Sequence, residues 1–196
     1  MQQFKIYYSL TSPFAAKARM VAWFAGLIFD EILTDPGADP EDLLALNPLG
    51  KIPVLVGEDG PIFDSRLISL YLDSISFNTL YGSDPADRLA AQKLEALADG
   101  VCDCLLAHVM ERRSRAAEHV NQALLGRYWA KIERSLDLVN MSISQMSEEV
   151  NVGHLAVRCM LGYLELRFQG AWEEGRGSLL AWKHTFDADN AELTRY

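Results

Sequence analysis

Asn-Pro-Leu-Gly-Lys-Ile-Pro at residues 47–53, followed by Val-Leu-Val at 54–56, is the stretch of sequence that decides the fold. Gly50 supplies a turn, and Pro53 can open a strand without removing a donor from its hydrogen-bonding ladder. Residues 54–56 have the apolar, β-branched character of a buried strand. The pattern predicts a turn that leads directly into a central strand.

The Ile52–Pro53 peptide bond is a candidate for the cis form. Only about 5–6% of X–Pro bonds in folded proteins are cis, but the turn before this bond and the strand after it favour that form here. A cis bond would leave the backbone N–H and C=O of Ile52 pointing outward. Both groups can then pair, in the manner of a strand, with the backbone of a short extended peptide.

Asp64-Ser65 and Ser12-Pro13 each stand at the start of a predicted helix. The first N–H groups of a helix are unpaired and favour an anionic group, so Asp64-Ser65 offers a carboxylate and a hydroxyl at such a place. Ser12 can cap its helix, with Pro13 at the first helical position and Gly26 at the end. Simple capping is an open alternative to a binding role for Ser12, Asp64 and Ser65.

Outward from this stretch, the chain alternates short β-like runs with helices as far as residue 76. Strands are predicted at Phe4–Tyr8, Phe29–Leu33, Ile52–Val56 and Pro61–Phe63, with helices between the first two and at Ser65–Ile75. Residues 57–60, Gly-Glu-Asp-Gly, have the composition of a hairpin turn. The order βαβ followed by ββα predicts an α/β domain with a mixed sheet over residues 1–76.

The remainder of the chain is predicted to be helical. Residues 77–86 are interpreted as a linker, and residues 87–196 as an all-helical domain. Helices are predicted from Asp84-Pro85 to about Arg113, over Ala117–Gln145, over Val152–Phe168 and around Leu179–Thr185.

Composition and charge limit the classes of function. The 196 residues are 49% hydrophobic and 23% charged, which is typical of a folded protein. A net charge of −9 and a pI near 4.9 argue against a nucleic acid partner, because phosphate binding needs a basic surface. No segment reaches the roughly 18 apolar residues of a membrane span. The expectation is a cytoplasmic protein that is not bound to membrane.

The cysteines and histidines do not predict a metal site. Cys102 and Cys104 stand two residues apart on a helix and therefore face different directions. Cys159 makes the set odd, which suits a reducing compartment and buried structural thiols. The four histidines are scattered along the sequence.

Taken in order, these motifs resemble the glutathione S-transferase superfamily, particularly its small bacterial members with a serine at the active site. The resemblance covers nearly the whole chain. It is carried by Ser12-Pro13-Phe14 with Lys17-Ala18-Arg19, and by residues 47–53, 64–72 and 162–168. It implies a thioredoxin-like N-terminal domain that binds glutathione, an all-helical C-terminal domain, and a homodimer.

The resemblance also implies roles for individual residues. As a glutathione transferase, the protein would use glutathione as co-substrate, without a metal, and add its thiolate to a small electrophile in detoxification. Ser12 would stabilise the thiolate. Ile52, next to Pro53, would pair with the cysteinyl unit, Lys51 would lie near the glycyl carboxylate, and Asp64 and Ser65 would hold the γ-glutamyl end. Phe14 and the helix around Cys104–Met110 would line the electrophile pocket.

Two other functions stay open. Glutathione-dependent thiol–disulfide exchange or peroxide reduction normally requires a cysteine where Ser12 stands. The other is a transferase-like fold that acts as a binding or regulatory module without catalysis.

The sequence departs from the family pattern at Asn151 and His154, where relatives usually have Ser or Thr followed three residues later by Asp. A neutral histidine is expected to complete the cap less well than a carboxylate does. The expected effect is a loss of about 1 kcal/mol in the stability of the helical domain.

Overall fold

The computed structural model describes residues 3–76, 80–147 and 149–195. Its strands are β1 (Phe4–Tyr8), β2 (Phe29–Leu33), β3 (Val54–Gly57) and β4 (Gly60–Ile62). Its α-helices are α1 (Pro13–Phe24), α2 (Glu41–Leu46), α3 (Ser65–Ile75), α4 (Pro85–Ser114), α5 (Gln122–Ser142), α6 (Val152–Phe168) and α7 (Gly177–Asp189).

The four strands form one mixed sheet in the order β2-β1-β3-β4. β1 pairs parallel with β2 through the crossover helix α1, whereas β3 pairs antiparallel with both β1 and β4. Ile6 of β1 lies opposite Leu55 of β3, and both are fully buried beside Ile68 and Leu72 of α3. The predicted α/β architecture with a mixed sheet is confirmed.

The C-terminal part is a bundle built around α6. Eleven of the seventeen residues of α6 are buried, which is why its sequence is apolar on nearly every side. α4 and α1 both pack against α6, so this helix belongs to the core of the bundle and to the contact with the α/β part. Met20 of α1 and Cys159 of α6 meet there, with their sulfur atoms 3.5 Å apart.

Several predicted boundaries differ from the structure. The helix predicted over Ala117–Gln145 is interrupted: α5 begins at Gln122, because the Asn121 side chain accepts the Leu124 N–H at 3.0 Å and caps a new helix there. α7 is longer than the predicted Leu179–Thr185, and α2 was not predicted. Residues 77–79 of the predicted linker lie outside the described residues. The domain limits 1–76 and 87–196 stay a prediction.

Asn151 and His154 together form the cap of α6. The Asn151 side chain accepts the N–H groups of Gly153 and His154, and His154 Nδ1 accepts the Asn151 N–H at 3.0 Å. His154 therefore does complete the cap, since a neutral imidazole has one acceptor nitrogen, and the expected loss of about 1 kcal/mol relative to a carboxylate stays a prediction. Burial lowers the pKa of His154 to about 4, which keeps this nitrogen free to accept.

Candidate functional site

A cavity lies between loop 47–53 and the start of α3, and we call it the Ile52 cavity. Its lining consists of Phe14, Asn47, Leu49, Lys51, Ile52, Pro53, Phe63, Asp64, Ser65, Arg66, Asp99 and Asp103. Five of the six residues predicted from the sequence as site residues are therefore brought together here. The sixth, Ser12, is not part of this lining.

Loop 47–53 is braced by the side chain of Asn47. Its Nδ2 donates to the Lys51 carbonyl at 2.8 Å, and its Oδ1 accepts the Leu49 N–H at 3.1 Å. Gly50 has a φ of +62°, a conformation that side chains rarely adopt. The loop is thus fixed by its own hydrogen bonds.

The Ile52–Pro53 bond is cis, as predicted. Within residues 3–76, 80–147 and 149–195, the backbone N–H and C=O of Ile52 make no hydrogen bond. An extended peptide lying in the Ile52 cavity can therefore use both groups.

Asp64 and Ser65 stand at the N-terminus of α3. Asp64 Oδ1 accepts the backbone N–H of Arg66 at 3.0 Å and that of Leu67 at 3.5 Å, so the capping role is real. Both bonds use the same oxygen, which leaves Oδ2 for a ligand. Ser65 is buried, and its hydroxyl makes no hydrogen bond to the described part of the chain. Capping and ligand binding are therefore compatible at this pair.

Ser12 lines a second cavity, which we call the Ser12 cavity. Its lining consists of Leu10, Thr11, Ser12, Pro13, Ala16, Met20, Arg158, Cys159, Gly162, Tyr163, Glu165, Leu166 and Thr194. Pro13 belongs to this cavity and the next residue, Phe14, to the Ile52 cavity, so the N-terminus of α1 lies between the two. The expected electrophile pocket of Phe14 with the helix around Cys104–Met110 differs from the Ser12 cavity, because Phe14 lines the Ile52 cavity and residues 104–110 are in the lining of neither cavity.

The Ser12 side chain is the cap of α1. Its Oγ accepts the Ala15 N–H at 3.2 Å, as predicted. A serine hydroxyl has one O–H donor in addition to its lone pairs, and capping uses only a lone pair. The O–H can therefore donate to an anion while the cap holds the oxygen in place.

Three charged residues of the Ile52 cavity were missed by the sequence analysis: Arg66, Asp99 and Asp103. Arg66 Nε donates to Asp99 Oδ2 at 2.8 Å, and this contact raises the pKa of Arg66. Burial and the neighbouring Asp99 raise the pKa of Asp103. The available signal was the i, i+4 spacing of Glu95, Asp99 and Asp103, which places three acids on one face of α4.

Behind this surface lies a buried ionic cluster between α1 and α4. Lys17, 1% exposed, donates from Nζ to Glu95 Oε1 at 2.8 Å and to Asp99 Oδ2 at 2.6 Å. Tyr81 donates from its hydroxyl to Glu95 Oε2 at 2.9 Å, and its burial and the Glu95 charge raise the pKa of Tyr81. The side chain that orients Arg66 is thus itself held by a buried lysine.

Cys159 lines the Ser12 cavity and is a buried thiol. Burial raises the pKa of Cys159 to about 12, so its thiolate is scarce at neutral pH. In the described part of the chain, no three His, Cys, Asp or Glu side chains are grouped so that they could hold a metal ion. No described helix is long and apolar enough to cross a membrane.

The chain is similar to one family model and to several known proteins. The family model described as glutathione S-transferase, N-terminal domain, matches residues 11–75. The uncharacterized GST-like protein YibF of Escherichia coli is 36% identical over 168 residues, which cover 83% of each chain. A glutathione S-transferase of Methylobacillus flagellatus, crystallised with GSH, has a TM-score of 0.89 at 36% identity, covering 97% of this chain and 98% of its own.

A second structure extends the comparison to a more distant relative. A glutathione transferase family member from Pseudomonas fluorescens Pf-5, with bound glutathione, has a TM-score of 0.89 at 28% identity and covers 98% of each chain. The likeness to YibF and to both structures extends well beyond the N-terminal half. The chain belongs to the glutathione S-transferase family.

Proposed function

We propose that the protein is a glutathione transferase, which binds glutathione in the Ile52 cavity and adds its thiolate to a small electrophile in the Ser12 cavity. One observation carries this proposal: the unpaired backbone N–H and C=O of Ile52 lie in the same cavity as Asp64 and Ser65. Support comes from the two relatives above, whose crystal structures contain glutathione.

The charges of the Ile52 cavity suit a tripeptide with one ammonium and two carboxylate groups. The free oxygen of Asp64 accepts the γ-glutamyl ammonium, and Ser65 and Arg66 donate to the carboxylate beside it. At the other end, the exposed Lys51 attracts the glycyl carboxylate. The cysteinyl unit pairs with Ile52 in between and directs its sulfur towards the N-terminus of α1.

Ser12 then favours the thiolate form of the bound glutathione. A free thiol has a pKa of about 8.5, and each unit of lowering corresponds to about 1.4 kcal/mol. One charge-assisted hydrogen bond from the Ser12 hydroxyl, worth about 1.5–3 kcal/mol, is enough for one to two units. The N-terminus of α1 acts in the same direction. The thiol proton leaves to solvent, and the sulfur attacks an electrophile held nearby.

Thiol–disulfide exchange is less well supported by this geometry. That chemistry requires a thiolate in the protein, and Ser12 stands at the helix terminus where the cysteine would be. Cys159, the thiol that lines the Ser12 cavity, has a pKa raised to about 12. The non-catalytic binding module is an outcome that the following experiment would reveal.

The test is calorimetric titration with glutathione, combined with ultraviolet titration of the bound thiol. We expect the double variant Asp64→Asn/Ser65→Ala to lose glutathione binding, and Ser12→Ala to bind glutathione with a higher thiol pKa. No binding to the wild type would refute the proposal. Binding without conjugation of any of several electrophiles would favour the binding module.

We also propose the homodimer and the cytoplasmic, detoxifying role that are usual among relatives. A light-scattering mass of twice the 21.9 kDa of one chain, at micromolar concentration, is the expected result. A mass of one chain would contradict the dimer and would leave the proposed chemistry unaffected.

A further inference from the structure

Arg158 is a cation in the wall of the Ser12 cavity, and the proposed thiol chemistry does not use it. It projects from α6 with 12% of its side chain exposed. One turn further along, Gly162 lines the same cavity, and a Cβ at Gly162 would lie 2.9 Å from Arg158 Nη1. The glycine therefore leaves the space that the guanidinium occupies.

The guanidinium of Arg158 is held by a single acidic residue of α7. Arg158 Nε donates to Asp187 Oδ1, and the other oxygen of Asp187 accepts from Lys183 at 3.0 Å. Among the described residues, Asp187 is the only hydrogen-bonding partner of Arg158. A guanidinium has five N–H donors, and one carboxylate can accept at most two in a bidentate pair. Further donors of Arg158 are left for a group inside the cavity.

Glu165, the acidic residue in the same wall, does not accept a hydrogen bond from the remaining donors of Arg158. Glu165 lines the Ser12 cavity, but its Oε1 is 3.0 Å from Lys183 Nζ, and Arg158 is not among its partners. Lys183 thus joins Glu165 and Asp187, while Asp187 orients Arg158. The arrangement fixes one planar donor group in a cavity that also contains the Ser12 hydroxyl.

We propose that Arg158 determines acceptor specificity, by binding a carboxylate of the electrophile that enters the Ser12 cavity. This inference rests on the proposed function, because it concerns the second substrate of the same reaction. Arginine suits this role because its fork-shaped donors match a carboxylate in both spacing and plane. The substrate class is an electrophile that carries an anionic group at a distance from its reacting carbon.

A matched pair of acceptors tests this class. In 4-chloro-3-nitrobenzoate and its uncharged amide, the glutathione sulfur forms a bond to the ring carbon, chloride leaves with the bonding electron pair, and the thiol proton goes to solvent. We expect Arg158→Met to lower the ratio of kcat/KM for the anionic acceptor to that for the amide by about tenfold to a hundredfold. Arg127→Met, which removes an exposed charge of α5, should leave the ratio unchanged.

Gly162→Ala supplies a second variant that retains the charge. Its methyl group must displace the guanidinium, which is the far end of a flexible side chain, and alanine favours the helix. We expect a folded protein with a reduced preference for the anionic acceptor, because the guanidinium is moved from its position in the wall. An unchanged ratio in both Arg158→Met and Gly162→Ala would overturn the inference.

Binding of the two glutathione conjugates of these acceptors gives a readout without turnover. We expect the wild type to bind the carboxylate conjugate about tenfold or more tightly than the amide conjugate, and Arg158→Met to lose this difference. If the wild type binds the two conjugates equally tightly and still binds glutathione, the role of Arg158 is refuted while the proposed function stands. Failure to bind glutathione or either conjugate would refute the proposed function together with this inference.

Discussion

Lys17 Nζ lies 2.6 Å from Asp99 Oδ2, and this same oxygen accepts the Arg66 Nε at 2.8 Å. One carboxylate oxygen of α4 therefore links two helices of the N-terminal part, α1 and α3. In the sequence, α1 precedes the β3–β4 hairpin and α3 follows it. The Lys17 end of this contact is buried, whereas 47% of the Arg66 side chain is exposed. We expect the inner half of the contact, Lys17 with Asp99, to determine stability, and the outer half, Arg66 with Asp99, to determine ligand binding.

The inner half is tested by Lys17→Met. This change leaves Glu95 buried without a cation and leaves Asp99 paired only with the half-exposed Arg66. Removal of one partner from a buried ion pair typically destabilises by about 3–5 kcal/mol. Equilibrium denaturation should show a loss of this size, while Lys93→Met, at an exposed position of α4, should change little. A loss below about 1 kcal/mol would mean that water reaches the cluster.

The outer half is tested by Arg66→Met. Loss of a charge-assisted hydrogen bond to the glutathione carboxylate should weaken binding by about tenfold to a hundredfold in calorimetry. Arg66→Lys should recover part of the affinity, because it restores the charge but not the planar donors. Unchanged affinity in Arg66→Met would place the γ-glutamyl carboxylate elsewhere.

Ser12 is predicted to have two separable roles, which two variants distinguish. Ser12→Ala removes the cap and should reduce stability by about 1 kcal/mol, whereas Ser12→Gly should lose only a few tenths. Both variants lack the O–H donor, so both should raise the thiol pKa of bound glutathione by about one to two units. If the thiol pKa rose in Ser12→Ala but hardly in Ser12→Gly, as the loss of stability is expected to do, the result would argue against direct donation by Ser12.

The cap of α6 predicts how stability depends on pH. Burial lowers the pKa of His154 to about 4 in the folded protein, against an ordinary value of about 6.5. The unfolded chain therefore binds a proton first, and stability is lost as the pH falls from about 6.5 to about 4, by at most about 3 kcal/mol.

Denaturation of the wild type and of His154→Asp across this pH range checks the prediction. A carboxylate at residue 154 stays an acceptor over most of the range, so the variant should lose less stability than the wild type. If the stability of the two proteins fell equally with pH, groups other than His154 would be the cause of the loss.

Much of the fold could be predicted because its signals are local. Caps such as Ser12 and Asp84, the turn at residues 57–60 and the apolar runs determine most boundaries through residues only a few positions apart. The five predicted residues of the Ile52 cavity lie in two short motifs that the fold brings together. The start of α5 at Gln122 was missed. Asn121 can act as a cap only if the backbone before it is not helical, and tertiary packing determines that conformation.

The residues that were missed depend on contacts between distant parts of the chain. Arg66 meets Asp99 across 33 positions, and Lys17 meets it across 82. No local rule links such pairs, since each side chain alone looks like an ordinary charge on a helix. The same holds for Arg158, whose partner Asp187 belongs to the next helix of the bundle.

The position of Asp99 has a consequence for protein engineering and for evolution by domain exchange. Loop 47–53 and the start of α3, where the proposed function places the tripeptide, belong to the sheet-containing part of the chain, yet the anchor of Arg66 comes from α4. A chimaera that joins residues 1–76 to a foreign helical bundle would retain the loop at residues 47–53 but inherit a different anchor. Its affinity for glutathione would then change without any substitution in the half that appears to contain the site.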